Sequence, residues 1–239
     1  MLKAFVEKIQ ESAFTALEHG DRFLTSRPVH PLKAASPEPL LVHTLDGLVE
    51  YFTNFVNREN WREEDTLYFA HVADYHTVNL VSSLYGPEKQ RDCLLTAQTH
   101  GHRHRFGDPI DLESFIVWIQ SCFVQDENTA LVLRTVGNIE QGTAASYEDD
   151  GVTQRVVART GVARRGFVDV PNPIRLRPYR TFLELEQPAS MFVLRITPEQ
   201  QEGKGPRCAL HEADGGAWRD DAVENIKRYL TEASVPTVG

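Results

Sequence analysis

A chain of 239 residues, 41% hydrophobic and 25% charged, has the composition of an ordinary soluble globular protein, long enough to bury one sizeable core or two small ones. A formal charge of −9 excludes a surface coated in nucleic acid, while leaving room for a local basic patch. The apolar runs are far shorter than the ~20 residues of a bilayer span, and the N-terminus does not read as a secretory signal peptide.

Residues 2–18 place Leu2, Phe5, Val6, Ile9, Ala13, Ala16 and Leu17 on one helical face, and Gly20 halts the pattern. Prolines at 28, 31, 37 and 39 make the next stretch an extended linker, so this helix reads as an arm that packs on a neighbour or a partner. Thr44 then caps a second helix with Leu45, Leu48, Val49, Phe52, Phe55 and Val56 on its apolar side, slightly weakened by Gly47. A charged turn over 58–65 leads to three strands, 66–72, 77–85 and 93–98, whose short connections imply an antiparallel meander. Asp108-Pro109 is the cap and first residue of a helix that turns Leu112, Phe115, Ile116, Ile119 and Phe123 inward. The apolar stretch 130–136 suits a helix or a strand.

After a turn at 148–151 the chain becomes strand-like and rich in arginine over 153–170, and Pro171, Pro173 and Pro178 stiffen the next connection. From Phe182 to Trp218 three runs carry apolar residues at alternate positions: Leu183 and Leu185; Phe192, Leu194 and Ile196; Cys208 and Leu210. Period two predicts a second meander with one apolar face. Asp214-Gly215-Gly216 ends it, and a closing helix over 217–229, with Ala222, Val223, Ile226 and Leu230 on one side, is placed to cover that face. The fold class implied is α+β, antiparallel β-meanders with helices packed on one face. Its segments are 1–40 (helix and proline-rich linker), 41–142 and 143–239, the last two compatible with a single domain.

Cys93, Cys122 and Cys208 form no CxxC pair and lie among apolar neighbours, the pattern of buried free thiols in a reducing cytoplasm. His100, His102 and His104 alternate; in an extended segment their imidazoles share a face, as in a hydrolytic zinc site, with His71, Asp74 and His76 as further ligands. Gly101, Arg103, Arg105 and the lack of an HExxH base favour instead a surface cluster. Glu184, Glu186, Glu212 and Asp214 could hold a divalent ion, but no lysine lies on these strands and ion pairs on a solvated face account for them. Asp214-Gly215-Gly216 lacks the spacing of a nucleotide-binding loop and reads as a turn with Asp as the cap. Trp61, Trp118 and Trp218 stand apart and suggest no aromatic platform.

The strongest local feature is the arginine run. Residues 151–180 hold seven arginines, Arg155, Arg159, Arg164, Arg165, Arg175, Arg177 and Arg180, against one acid, Asp169, and no lysine. The planar guanidinium fork suits phosphates and carboxylates, so the segment reads as the contact for an anion or a nucleic acid. Neutralising the acidic remainder is the alternative.

The segments DDGVTQ (149–154), PNPIRLRPYRTFLELEQPASMFVLRI (171–196) and ALHEADGGAW (209–218) resemble the YfdQ-like family of bacteriophage and prophage proteins. The resemblance covers roughly 44–230, with PYRTF, EQPAS and EADGGAW its specific part, and the tryptophan-bearing stretch 115–120 also fits. It implies a phage genome and a bacterial host cytoplasm, and carries no reaction, cofactor or catalytic residue. The expected function is a non-enzymatic phage accessory protein without a cofactor. It would self-associate and bind a nucleic acid, a phosphate ligand or an acidic host or phage protein through the seven arginines, away from membranes. The alternatives are a metal-dependent hydrolase built on the three histidines, and a structural or assembly protein whose N-terminal helix clasps a neighbour.

Overall fold

The fold is given by a computed structural model. It describes residues 38–57, 66–86, 89–101, 104–139, 172–197 and 205–239, and the strand backbones at 15–16, 23–24, 148–149, 154–159 and 165–169. The chain divides into two units, 1–36 and 37–239. In the first, β1 (Thr15–Ala16) pairs antiparallel with β2 (Phe23–Leu24). β-Branched Thr15 and aromatic Phe23 favour that pairing over the end of the expected helix; the rest of the stretch 2–18 lies outside the described residues.

In the second unit the expected meander forms from β4 (Tyr68–Asp74), β5 (Thr77–Ser82) and β6 (Cys93–Gln98), all antiparallel. Two short strands complete this sheet with parallel pairing: β3 (Leu40–Val42) on β6, and β14 (Thr237–Val238) on β4. Helix α1 (Leu45–Tyr51) begins where Thr44 accepts the Gly47 N–H at 3.1 Å, and it runs on as a π-turn over Phe52–Val56. Wider π winding advances each residue by less than the α angle. Val56 therefore faces inward with Phe52, while Phe55 rotates out to 56% exposure.

The second sheet has the order β11 (Ile174–Leu176), β12 (Ser190–Thr197), β13 (Arg207–Glu212), β7 (Ile110–Asp111), antiparallel throughout. Because Ile110 and Asp111 pair with β13, helix α2 (Leu112–Cys122) starts later than Asp108-Pro109 suggests; Asp111 is its cap, accepting the Ser114 N–H at 2.9 Å. The stretch 130–136 belongs to a helix, α3 (Glu127–Gly137), opened by a capping box of Asp126 and Thr129. A separate three-stranded sheet joins β8 (Glu148–Asp149), β9 (Gln154–Arg159) and β10 (Arg165–Asp169).

Each main sheet has its own core, and the closing helix covers the first sheet rather than the second, where it was expected. Phe115, Ile119 and Phe123 from the α2 region and Val132 and Val136 of α3 pack on Phe192, Leu194, Ile196, Cys208 and Leu210. That face is filled, so the closing helix α4 (Trp218–Glu232) packs Ile226 and Leu230 on the first sheet instead, with α1. The fold is α+β. The expected strand at 182–186 is a loop: the Gln187 carboxamide accepts the Arg180 and Thr181 N–H groups (2.9 and 3.3 Å) and donates to the Phe182 and Leu185 carbonyls (2.9 and 3.2 Å). These bonds replace a strand partner. Phe182 and Leu185 enter the first core, and Leu183 is left 68% exposed.

The three cysteines are free; Cys208 is buried, and burial pushes its thiol up to about 12. Among the described residues no helix is long and apolar enough to cross a membrane.

Candidate functional site

The loop from β11 to β12 is pinned on two sides. The Thr181 hydroxyl donates to the Tyr75 carbonyl, in the β4–β5 turn, at 2.6 Å, and His104 Nε2 donates to the Tyr179 carbonyl at 2.9 Å. Between these anchors Arg180 is driven inward and is 5% exposed. Its Cζ lies 4.4 Å from the Trp218 ring centroid, 4.9 Å from Phe106 and 5.3 Å from Phe192. Aromatic faces attract a cation electrostatically and exclude water from it.

One guanidinium nitrogen, Nη1, donates to Glu212 Oε1 at 2.6 Å. The other two, Nε and Nη2, are buried with no acceptor among the described residues. They lie on the same side of the planar group and form one two-pronged donor. Burial lowers the pKa of Arg180, and the charges of Glu212 and Asp214 work the other way; an arginine stays charged at any pH the fold tolerates. Burial also raises the pKa of Asp214, but neighbouring donors, the Gly216 N–H at 3.0 Å among them, and the Arg180 charge outweigh this and hold it below the usual carboxylate range.

Arg180 lines a cavity of about 370 Å³. Tyr75, His76, Gly101, His104 and Phe106 form part of the wall, and Glu212, Trp218 and Arg219 complete it. Arg219, in the first turn of α4, spreads over Trp218 (5.2 Å) and Tyr75 (6.0 Å). Gly216 makes room for it: the backbone there has φ +87°, and a Cβ would overlap Arg219 Nη1. His76 is held by Asp74 through Nδ1, with the Thr77 hydroxyl 2.9 Å away. The segments PYRTF, EQPAS and EADGGAW meet here, supplying Arg180, Gln187, Glu212 and Trp218.

The other arginines of the run have different fates. Arg177 bonds Asp126 through Nη2 (3.2 Å) and Nε (3.3 Å) and Glu186 through Nη1 (3.3 Å). Arg177 and Arg180 are therefore not parts of an exposed basic face, because carboxylates from other elements reach them. Arg175 is exposed on β11 and lines a cleft of about 300 Å³ with Arg177, Glu186 and Arg228. Arg155, Arg159 and Arg165 lie on β9 and β10, with Arg165 opposite Arg159 and Arg155 opposite Asp169. Their side chains, and all of Arg164, lie outside the described residues.

The histidines have separate surroundings. The His100 ring lies 3.7 Å from that of His43, tilted by 30°, His104 stacks on Phe106 at 5.0 Å, and His102 lies outside the described residues. Among the described residues, no group of three His, Cys, Asp or Glu could hold a metal ion. The acidic set is occupied structurally. Glu184 accepts the Leu45 N–H at 2.7 Å and so caps α1 from a distance, Glu186 and Glu212 pair with arginines, and Asp214 closes its own turn rather than the helix.

Sequence reasoning singled out Arg180 but missed its companions Tyr75, Phe106, Phe192, Trp218 and Arg219. They come from the β4–β5 turn, the loop before β7, strand β12 and the start of α4, and only Trp218 and Arg219 are neighbours in sequence; Trp218, within EADGGAW, was the nearest signal. Compared with models of protein families, with characterised proteins and with solved structures, the chain matches none.

Proposed function

We propose that the protein binds an anionic ligand in the Arg180 pocket, as a phage accessory protein acting in the bacterial host cytoplasm. The observation that carries the reading is that Arg180, whose Nε and Nη2 are buried without an acceptor among the described residues, lines a cavity. Each buried donor left without a partner costs about 1–3 kcal/mol. A carboxylate or phosphate satisfies both prongs at once, through the charge-assisted bidentate geometry for which arginine is suited. Arg219 brings a second positive charge to the same wall. The phage assignment is supported by PYRTF and EADGGAW, which contribute lining residues to this pocket, and by EQPAS, whose Gln187 holds the Arg180 loop.

The test is calorimetric titration of the purified protein with inorganic phosphate and with simple carboxylates, for the wild type and Arg180→Lys. Lysine keeps the charge and loses the fork, so affinity is expected to drop about tenfold or more, the scale of a lost charge-assisted hydrogen bond. Absence of binding by any of these anions at millimolar concentration would remove the reading.

A further inference from the structure

Resting on the anion reading of the Arg180 pocket, we infer that its ligand is a monocarboxylate carried on a flat apolar body, an aromatic acid being the simplest case. The wall carries two cationic side chains, Arg180 and Arg219, and one carboxylate, Glu212, and the charge of Asp214 also acts on Arg180. With two carboxylates acting on the guanidinium, the site admits a monoanion more readily than a dianion. A phosphate dianion adds a second negative charge and is forced close to Glu212, which is hydrogen-bonded to the same guanidinium at 2.6 Å. The fork offers two donors in one plane, the geometry of a carboxylate. Burial of Arg180 means that these donors act in a medium where such a bond counts for more than in water.

The remainder of the wall selects the body of the ligand. Trp218 and Tyr75 meet edge to face at 4.8 Å, and His104 lies parallel to Phe106 at 5.0 Å with only 10° between the rings. Ring faces and edges of this kind favour a flat aromatic group over a compact polar one. A cavity of about 370 Å³ holds one ring or a fused pair beside the carboxylate.

Isothermal titration of the full chain at constant ionic strength, with benzoate, indole-3-carboxylate, acetate and inorganic phosphate as probes, tests this. The aromatic acids are expected to bind about tenfold or more tightly than acetate and phosphate. Arg219→Gln, at an exposed position, is expected to weaken benzoate severalfold. Gly101→Leu is expected to abolish its binding while the protein stays folded by circular dichroism, because a Cβ at 101 meets only the Arg180 carbonyl, at 3.9 Å, and the longer side chain fills the pocket. Phosphate binding tightest of the four would overturn the carboxylate inference and leave the anion reading standing. Acetate binding as tightly as benzoate would overturn the flat body alone. No binding by any probe, or benzoate binding unchanged in Gly101→Leu, would overturn both.

Discussion

Asp126 ties the start of α3 to the β11–β12 loop. One carboxylate oxygen accepts the Asn128 and Thr129 N–H groups at 3.0 Å, and the other accepts from Arg177. Burial raises its pKa, but the Thr129 bonds and Arg177 outweigh that and hold it below the ordinary value. A folded pKa below the unfolded one gives stability that is present above the unfolded value and lost as pH falls through the folded one. Asp126→Asn is therefore expected to cost about 1–3 kcal/mol at pH 7, with the gap to wild type closing below about pH 4. Urea denaturation at the two pH values measures it. Cys208 makes a second prediction. With its thiol pushed up to about 12 and no exposure, it should escape iodoacetamide at pH 8 while half-buried Cys93 and Cys122 are labelled. Peptide mass spectrometry before and after denaturation reads the difference.

At the scale of elements, local pattern carried the reading only where one face of an element is buried along several residues. Alternation placed β12, whose eight residues alternate strictly between buried and half-buried, and helical spacing placed α2. It failed at 182–186, where alternation over a few residues describes a loop stapled by the Gln187 carboxamide. It was silent on β3 and β14, too short to show a period. Which helix covers which sheet was not legible, since the apolar stripes of α2 and α4 are chemically interchangeable. The pocket was half legible: arginine's fork pointed to planar anions, but its aromatic surroundings exist only after both sheets are folded. Gly47 shows how a local rule is overridden. Gly→Ala inside a helix normally stabilises by about 0.5–1 kcal/mol. Here the new Cβ would sit 3.1 Å from Thr44 Oγ1, the capping oxygen, and 3.4 Å from Val42 Cβ. Gly47→Ala is thus expected to give no gain or a loss in melting temperature, and a rise of several degrees would contradict the account.

In the unit 37–239 as a whole, the two cores are threaded through one another. The chain leaves the second sheet after β11, buries Phe182 and Leu185 in the first core, and returns for β12; after β13 it crosses again to lay α4 on the first sheet. Phe182→Ala in one core and Phe192→Ala in the other are each expected to destabilise by about 3–5 kcal/mol. Because the Arg180 loop belongs to both cores, tryptophan fluorescence and far-ultraviolet circular dichroism should report a single coincident transition for each variant. Two separated transitions would show that the cores unfold independently. The parallel pairing of β14 on β4, fixed by the Ala70 N–H donating to the Pro236 carbonyl at 2.7 Å, also bears on biosynthesis. The ribosome makes β4 to β6 long before residues 237–238, so the outer edge of β4 waits on the order of ten seconds for its neighbour at typical elongation speeds. During that interval a bare strand edge invites pairing with other nascent chains. Slowed translation of the last third of the message should lower the soluble yield, and co-expression of a chaperone that shields strand edges should restore it.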